Sequence, residues 1–281
     1  MDHEQRELVD RLERFYDAVP RDATRTEEYG ALVLFVRDGV GWPFYARPRR
    51  DADEPPSLAD VTAVRQRQRE LGLPEALEWV HEVTPGLLPV ARSAGLSVLE
   101  APLMVLDPAA LPAPATLTDV PLRVLDPAGP GFAADVAARR AVAAVAFAAA
   151  GTERGEAGPA QRDAAVAELD EAALDEERAR TADGRRLSVL AGTPAEGALA
   201  SAMAMRVGDV AEIAGVATLP SARRRGLGAA VTATLARELL AAGTDLIFLS
   251  AGNEDIARVY LRVGFRRVGT ACIAEPAPVT P

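Results

Sequence analysis

The sequence predicts an α/β protein in two parts. Its 281 residues, 49% of them apolar, are enough to fill two cores. Residues 108–121 hold four prolines and no apolar periodicity, which reads as an ordered linker. On either side the predicted elements follow one order: two strands, helix, strand, helix, strand. The expected division is a first domain over 1–112, a linker over 113–121 and a second domain over 122–281.

In the first part, Leu8, Leu12 and Phe15, with Val9 and Tyr16, give residues 4–18 a helical stripe ahead of Pro20. Residues 31–36 and 42–46 read as strands joined by Arg37-Asp38-Gly39. Residues 48–57 form a proline-rich charged loop. Leu58, Val61, Val64 and Leu71 then mark a helix closed by Gly72. A strand over 77–80, a helix over 85–94 and a strand over 96–106 follow.

The second part opens with a strand over 122–125. A helix carrying Phe132, Val136, Ala143 and Phe147 comes next, then a glycine-rich loop over 151–158. Residues 160–182 read as one helix, with Val166, Leu169 and Ala173 inward. Asp170, Glu171, Asp175, Glu176 and Glu177 point outward as a solvated face. Strands over 186–191 and 199–207 lead to Gly208-Asp209, a hairpin signal.

Residues 216–229 organise the rest. Ala211, Ile213, Gly215 and Ala217 lie on an apolar run that suits a buried strand, which Pro220 stops. Beyond it Leu227, Val231, Leu235 and Leu239 form one helical stripe, ended at Gly243. The helix therefore starts inside Arg223-Arg224-Arg225-Gly226-Leu227-Gly228-Ala229. The free N–H groups of a first helical turn and two residues without Cβ make an anion cradle, to which the arginines add charge. A strand over 246–249 precedes Asn253, a helix cap by its side chain. Tyr260 lies on that helix, and Gly264-Phe265 opens the last strand.

Together, Arg223-x-x-Gly226-x-Gly228, Asn253, Tyr260 and Gly264-Phe265 resemble, in order and spacing, the GCN5-related N-acetyltransferase (GNAT) family. The resemblance is specific over about 210–268 and faint before Pro112. It implies two tandem domains, each a mixed, mostly antiparallel sheet flanked by helices, the acyl-CoA N-acyltransferase fold. It also implies that Arg223, Arg224, Arg225, Gly226, Leu227, Gly228 and Ala229 hold the pyrophosphate of acetyl-CoA, with Asn253 as a further contact. Val216, Ala217 and Thr218 would pair with the pantetheine arm. Glu212, eleven residues before Arg223, matches the general-base glutamate of the histone-acetylating branch and also reads as a surface carboxylate. Tyr260 would protonate the departing thiolate, and its other reading is aromatic packing. Thr84 precedes Gly95-Leu96 as Asn253 precedes Gly264-Phe265, so the first part reads either as a degenerate copy or as the pattern that any mixed sheet gives. Ala91 stands there in place of Tyr260 and no Gly-x-Gly turn is present, so coenzyme A is expected only in the second domain.

The implied function is transfer of acetyl from acetyl-CoA to a primary amine by direct attack in a ternary complex. A coenzyme A-binding module without turnover, or a transferase of longer acyl groups, are the alternatives. The acceptor is expected to be a small-molecule or peptide amine; a homodimer is kept open. The formal net charge of -10, with no lysine among 31 basic residues, argues against nucleic acid. The longest apolar run is too short for a membrane, and one cysteine, Cys272, permits no intrachain disulfide, so the cytoplasm is expected. Two histidines and that cysteine make no metal the expectation. The glycine pattern also fails the dinucleotide fingerprint.

Overall fold

The computed structural model describes residues 3–37, 44–149 and 151–277. The chain forms two compact units. The first comprises residues 1–103 with 267–281, and the second residues 104–266. The cut therefore precedes the proline-rich segment, and 113–121 lie inside the second unit. The last strand, Phe265–Pro276 (β11), begins in the second unit and continues into the first.

The first unit opens with α1 (His3–Arg21), followed by the antiparallel strands β1 (Thr24–Tyr29) and β2 (Leu32–Arg37). The reading from residue pattern misses β1 because Thr-Arg-Thr-Glu-Glu-Tyr is polar and sits at the edge of the sheet, where one side meets water. Residues 42–43 of the expected second strand and the expected Asp38-Gly39 turn lie outside the described residues. The strand observed is β3 (Ala46–Pro48). There follow α2 (Leu58–Glu70), β4 (Leu77–Val80), α3 (Leu87–Ser93) and β5 (Leu96–Leu106). The sheet order is β1-β2-β3-β4-β11-β5. Cys272 and Ala274 of β11 enter the same core as Leu32, Leu34, Leu77, Trp79, Val61 and Leu87. Burial pushes the Cys272 thiol up to about 12, which makes it an inert packing residue, as its strand position suggests.

The opposite face of this sheet, packed under the apolar stripe of α1, also buries an ion pair. Glu13 of α1 pairs with Arg47 of β3, both buried, and Arg47 stacks over Tyr16. Burial pushes the carboxyl of neighbouring Glu78 up to about 7, against the pull of Arg47. That value lies above the unfolded carboxylate at about 4.3, so the native state holds the proton more tightly between the two. The stability this gives is complete below the unfolded value and is lost as pH rises through about 7. Glu78→Gln is expected to flatten the pH dependence of Tm between about pH 5 and pH 8 and to melt higher than wild type at the alkaline end. Calorimetry across that range checks it; parallel curves would refute it.

The second unit opens with a short strand and three helices ahead of its remaining strands. Its strands are β6 (Leu122–Val124), β7 (Arg186–Thr193), β8 (Gly197–Val207), β9 (Val210–Thr218) and β10 (Leu246–Ser250), arranged β10-β9-β8-β7-β6. Gly208 adopts φ 60° in the two-residue turn that joins Val207 to its partner Val210. On one side pack α4 (Phe132–Phe147), α5 (Pro159–Ala164) and α6 (Glu171–Ala182), with α4 against β8 and β9 and α6 against β7. The helix α7 (Leu227–Ala241) packs on β7, β8 and β9, and α8 (Glu254–Leu261) follows β10.

The expected single helix over 160–182 is thus two. Pro159 starts the first and Asp170 caps the second, its carboxylate accepting from the Ala172 N–H. Val166 falls in the break and is exposed, and Phe147 at the end of α4 is exposed as well. The expected outward face is also corrected at Glu177, which is buried between two arginines.

Candidate functional site

The strands β9 and β10 run parallel, and their ladder covers three residues each, Val210–Glu212 against Leu246–Phe248. From there β9 runs on to Thr218 with no ladder partner on that edge, so those backbone N–H and C=O groups of residues 213–218 that point away from β8 line an open crotch. On its other edge β9 carries a bulge. Ser201 faces Ala217 and Met203 faces Ala214, so two residues, Gly215 and Val216, oppose one on β8. Gly215 takes φ 61°, the left-handed conformation of a glycine bulge, and re-aims residues 216–218. A glycine inside an apolar strand run was the available sequence signal for this.

Beyond β9 a 3-10 turn over Pro220–Ala222 leads to Arg223, and α7 begins at Leu227 with Gly226 as its N-cap. No side chain caps α7 and no acidic residue sits in its first turn. The N–H groups of Leu227, Gly228 and Ala229 precede the first intrahelical bond, from Ala230 to Gly226. A Cβ on Gly228 would lie 3.5 Å from Thr218 Oγ1 and 3.9 Å from Val216 Cγ1. Val216, Thr218 and Gly228 therefore converge where the open edge of β9 meets the uncapped helix end.

The two glycines of the turn do different work. A Cβ on Gly226 would sit 2.0 Å from the Leu117 carbonyl oxygen, and its φ is 75°. Gly226 is thus required by the close approach of the segment that ends the 3-10 turn Pro114–Thr116, a contact the residue pattern does not reveal.

The arginines are engaged with protein. Arg223 is buried and donates to the carbonyls of Ala146 (3.1 Å), Ala149 (2.7 Å) and Glu153 (3.1 Å), bracing the C-terminal end of α4. Arg154 returns a bond to the Arg223 carbonyl, and Ser221 N–H donates to Ala157. The loop before α5 is thereby tied to the turn before α7. Arg224, at φ 64°, makes an exposed pair with Glu153, and Arg225 pairs with Glu196 at 3.3 Å.

Glu212 stands opposite Phe248 at the last rung of the β9–β10 ladder, the apex of the crotch, and is half-buried. Asn253 accepts from the Ile256 N–H and so caps α8, leaving its amide NH₂ for other partners. Tyr260 is buried on α8, 6.0 Å edge-on from Phe265, in the same core as Ala217 and Leu249. Burial pushes its phenol well above the ordinary tyrosine value, so it stays protonated at physiological pH. Among the described residues no group of His, Cys, Asp or Glu could hold a metal ion. No described helix is long and apolar enough to cross a membrane.

The family model described as FR47-like protein matches residues 194–273. None of the curated proteins matches the sequence. Among solved structures, a GCN5-related N-acetyltransferase from Kribbella flavida is 25% identical with a TM-score of 0.66, over 94% of this chain and 95% of its own. A GCN5-related N-acetyltransferase-like protein from Streptococcus suis is 13% identical, TM-score 0.52, over 96% and 99%. A tandem GNAT protein from the clavulanic acid biosynthesis pathway is 15% identical, TM-score 0.51, over 89% and 79%. The mixed, mostly antiparallel sheets flanked by helices are those of the fold these acetyltransferases share, and residues 194–273 match the FR47-like model within it.

Proposed function

We propose that the second unit transfers acetyl from acetyl-CoA to the amine of a small molecule or peptide, by direct attack in a ternary complex. The observation that carries this reading is the uncapped start of α7 beside the open edge of β9, with Gly228 leaving room between them. When bound, acetyl-CoA supplies a thioester acyl group. The N–H groups of Leu227, Gly228 and Ala229 are oriented to hold its pyrophosphate. Backbone groups of Val216, Ala217 and Thr218 can pair with the pantetheine amides and polarise the carbonyl. Arg223 serves by fixing the end of α4 and the loop before α5, and Arg224 and Arg225 can exchange their surface carboxylates for phosphate.

Glu212 takes the proton of the attacking amine through water, the new C–N bond forms as C–S breaks, and Tyr260 delivers a proton to the thiolate. Tyr260→Phe is expected to lower kcat by about 10²-fold or more with little change in acetyl-CoA affinity. Glu212→Gln is expected to lower kcat near neutral pH more than KM, by about 10²-fold. Free-thiol release across an amine panel measures both, and an unchanged kcat removes the residue from its role. Absence of thiol release with every amine, while acetyl-CoA binds, would replace the transferase reading by that of a coenzyme A-binding module.

A further inference from the structure

Beneath α4 and α6 the sheet carries a buried cluster with more donors than acceptors. Glu177 of α6 accepts from Arg139 of α4 at 2.9 Å and from Arg186 of β7 at 3.1 Å. Met203 Sδ lies 3.0 Å from Arg139 Nη1 and 3.9 Å from Arg186 Nη1. The Nε atoms of both arginines and the hydroxyl of Ser188 are buried without a partner. Ser188 stands opposite Met203 on the neighbouring strand, so it shares the face to which the guanidinium groups turn. Arg139 itself is 8% exposed.

All three orphaned groups can donate, and the local charge is positive. Arg140, Arg180 and Glu176 also act electrostatically on the cluster, giving four guanidinium groups against two carboxylates. Burial pulls the pKa of Arg139 and Arg186 down, yet arginine stays charged. One Arg–Glu pair would have fastened α6 to the sheet without surplus. A second buried arginine adds desolvation cost that Glu177 alone does not offset. The set wants an anion.

The cluster also faces the reaction centre. The register aligns Arg186, Met205 and Glu212 in one row across β7, β8 and β9, and Ser188, Met203 and Ala214 in the next. The cluster and Glu212 thus share one face of the sheet, with Arg186 and Glu212 two strand spacings apart, about 10 Å between Cα atoms. The bulge glycine, Gly215, lies against Met203: a Cβ there would be 3.6 Å from Met203 Cγ.

We infer that the acceptor amine carries a carboxylate, which Arg139, Arg186 and Ser188 bind while its amine lies at Glu212. This rests on the transferase reading above and narrows its acceptor to an amino acid.

The test pairs amino acids from glycine to 6-aminohexanoate with alkylamines of equal chain length. Thiol release from acetyl-CoA and thermal unfolding in the presence of coenzyme A are read for each, with acetate and phosphate as further ligands. At least one amino acid is expected to exceed its alkylamine by about a hundredfold in kcat/KM and to raise Tm where the alkylamine does not. Arg186→Met leaves a charge-balanced Arg139–Glu177 pair, and Ser188→Ala removes only a hydroxyl. Both are expected to shrink that preference at least tenfold, with retention of the acetyl-CoA shift as the check on folding. Equal or better use of alkylamines, selectivity untouched by both variants, or equal stabilisation by acetate or phosphate would overturn the inference. If no amine releases thiol, the transferase reading falls, and stabilisation by amino acids but not by alkylamines still decides whether the carboxylate site exists.

Discussion

Gly228→Asp is expected to abolish the rise in Tm that acetyl-CoA gives the wild-type protein, while leaving the Tm of the free protein close to wild type. A ligand that binds only the native state stabilises by about 2.7 kcal/mol at a hundredfold excess over Kd. The aspartate would put a carboxylate among the free N–H groups of α7, where it competes with pyrophosphate and repels it. The fold should tolerate it, because the nearest atoms to a Cβ at Gly228 lie at ordinary contact distance and acidic residues suit a first helical turn. Gly226 is the wrong position for this test. Any side chain there collides with the Leu117 backbone and strains a left-handed φ, so lost binding and lost folding could not be separated. An unchanged shift in Gly228→Asp, by scanning calorimetry, would remove the α7 terminus as the coenzyme site.

Deleting residues 267–281 is expected to unfold the first unit and spare the second. Residues Ala271, Cys272, Ile273 and Ala274 of β11 form the antiparallel ladder with β4, and Thr270 accepts from the His81 N–H. Without them Cys272 and Ala274 leave the core around Trp79 and Leu77, and the inner edge of β4 is stripped of partners. The loss approaches the whole stability of a typical domain, about 5–15 kcal/mol. Hydrogen exchange localised to residues 24–103 should rise to the unfolded rate, while residues 186–250 keep their protection; protection retained in both would count against it. A fragment cut at residue 112, the boundary suggested by the prolines, is expected to fail for the same reason.

Much of the second unit is legible in the sequence because local rules and the fold agree there. The stripe Leu227, Val231, Leu235, Leu239 is buried as a helix should be, Gly208-Asp209 turns the hairpin, Gly243 closes α7 at φ 83° and Asn253 caps α8. What escapes the pattern is set by partners distant in sequence. Charge alone suggests that Arg223 faces phosphate, yet its three acceptors are carbonyls some 70 residues earlier. Glu177 looks like one more exposed helix carboxylate until Arg139 and Arg186 surround it. The exposed Val166 shows the opposite failure, where apolar periodicity ran through a break created by Asp170.

The divided strand β11 also bears on how the protein is made. Domains commonly fold in order as the chain leaves the ribosome, at about 5–20 residues per second. Here the first unit must wait for residues beyond Arg266, so after Leu103 emerges it remains incomplete for on the order of ten seconds. During that interval β4 presents an unpaired edge next to the apolar surface of Leu77 and Trp79, the kind of template on which strands from other chains pair. The hazard ends when the chain's own last strand arrives, so the yield of correctly folded protein should depend on the speed of translation through the second unit.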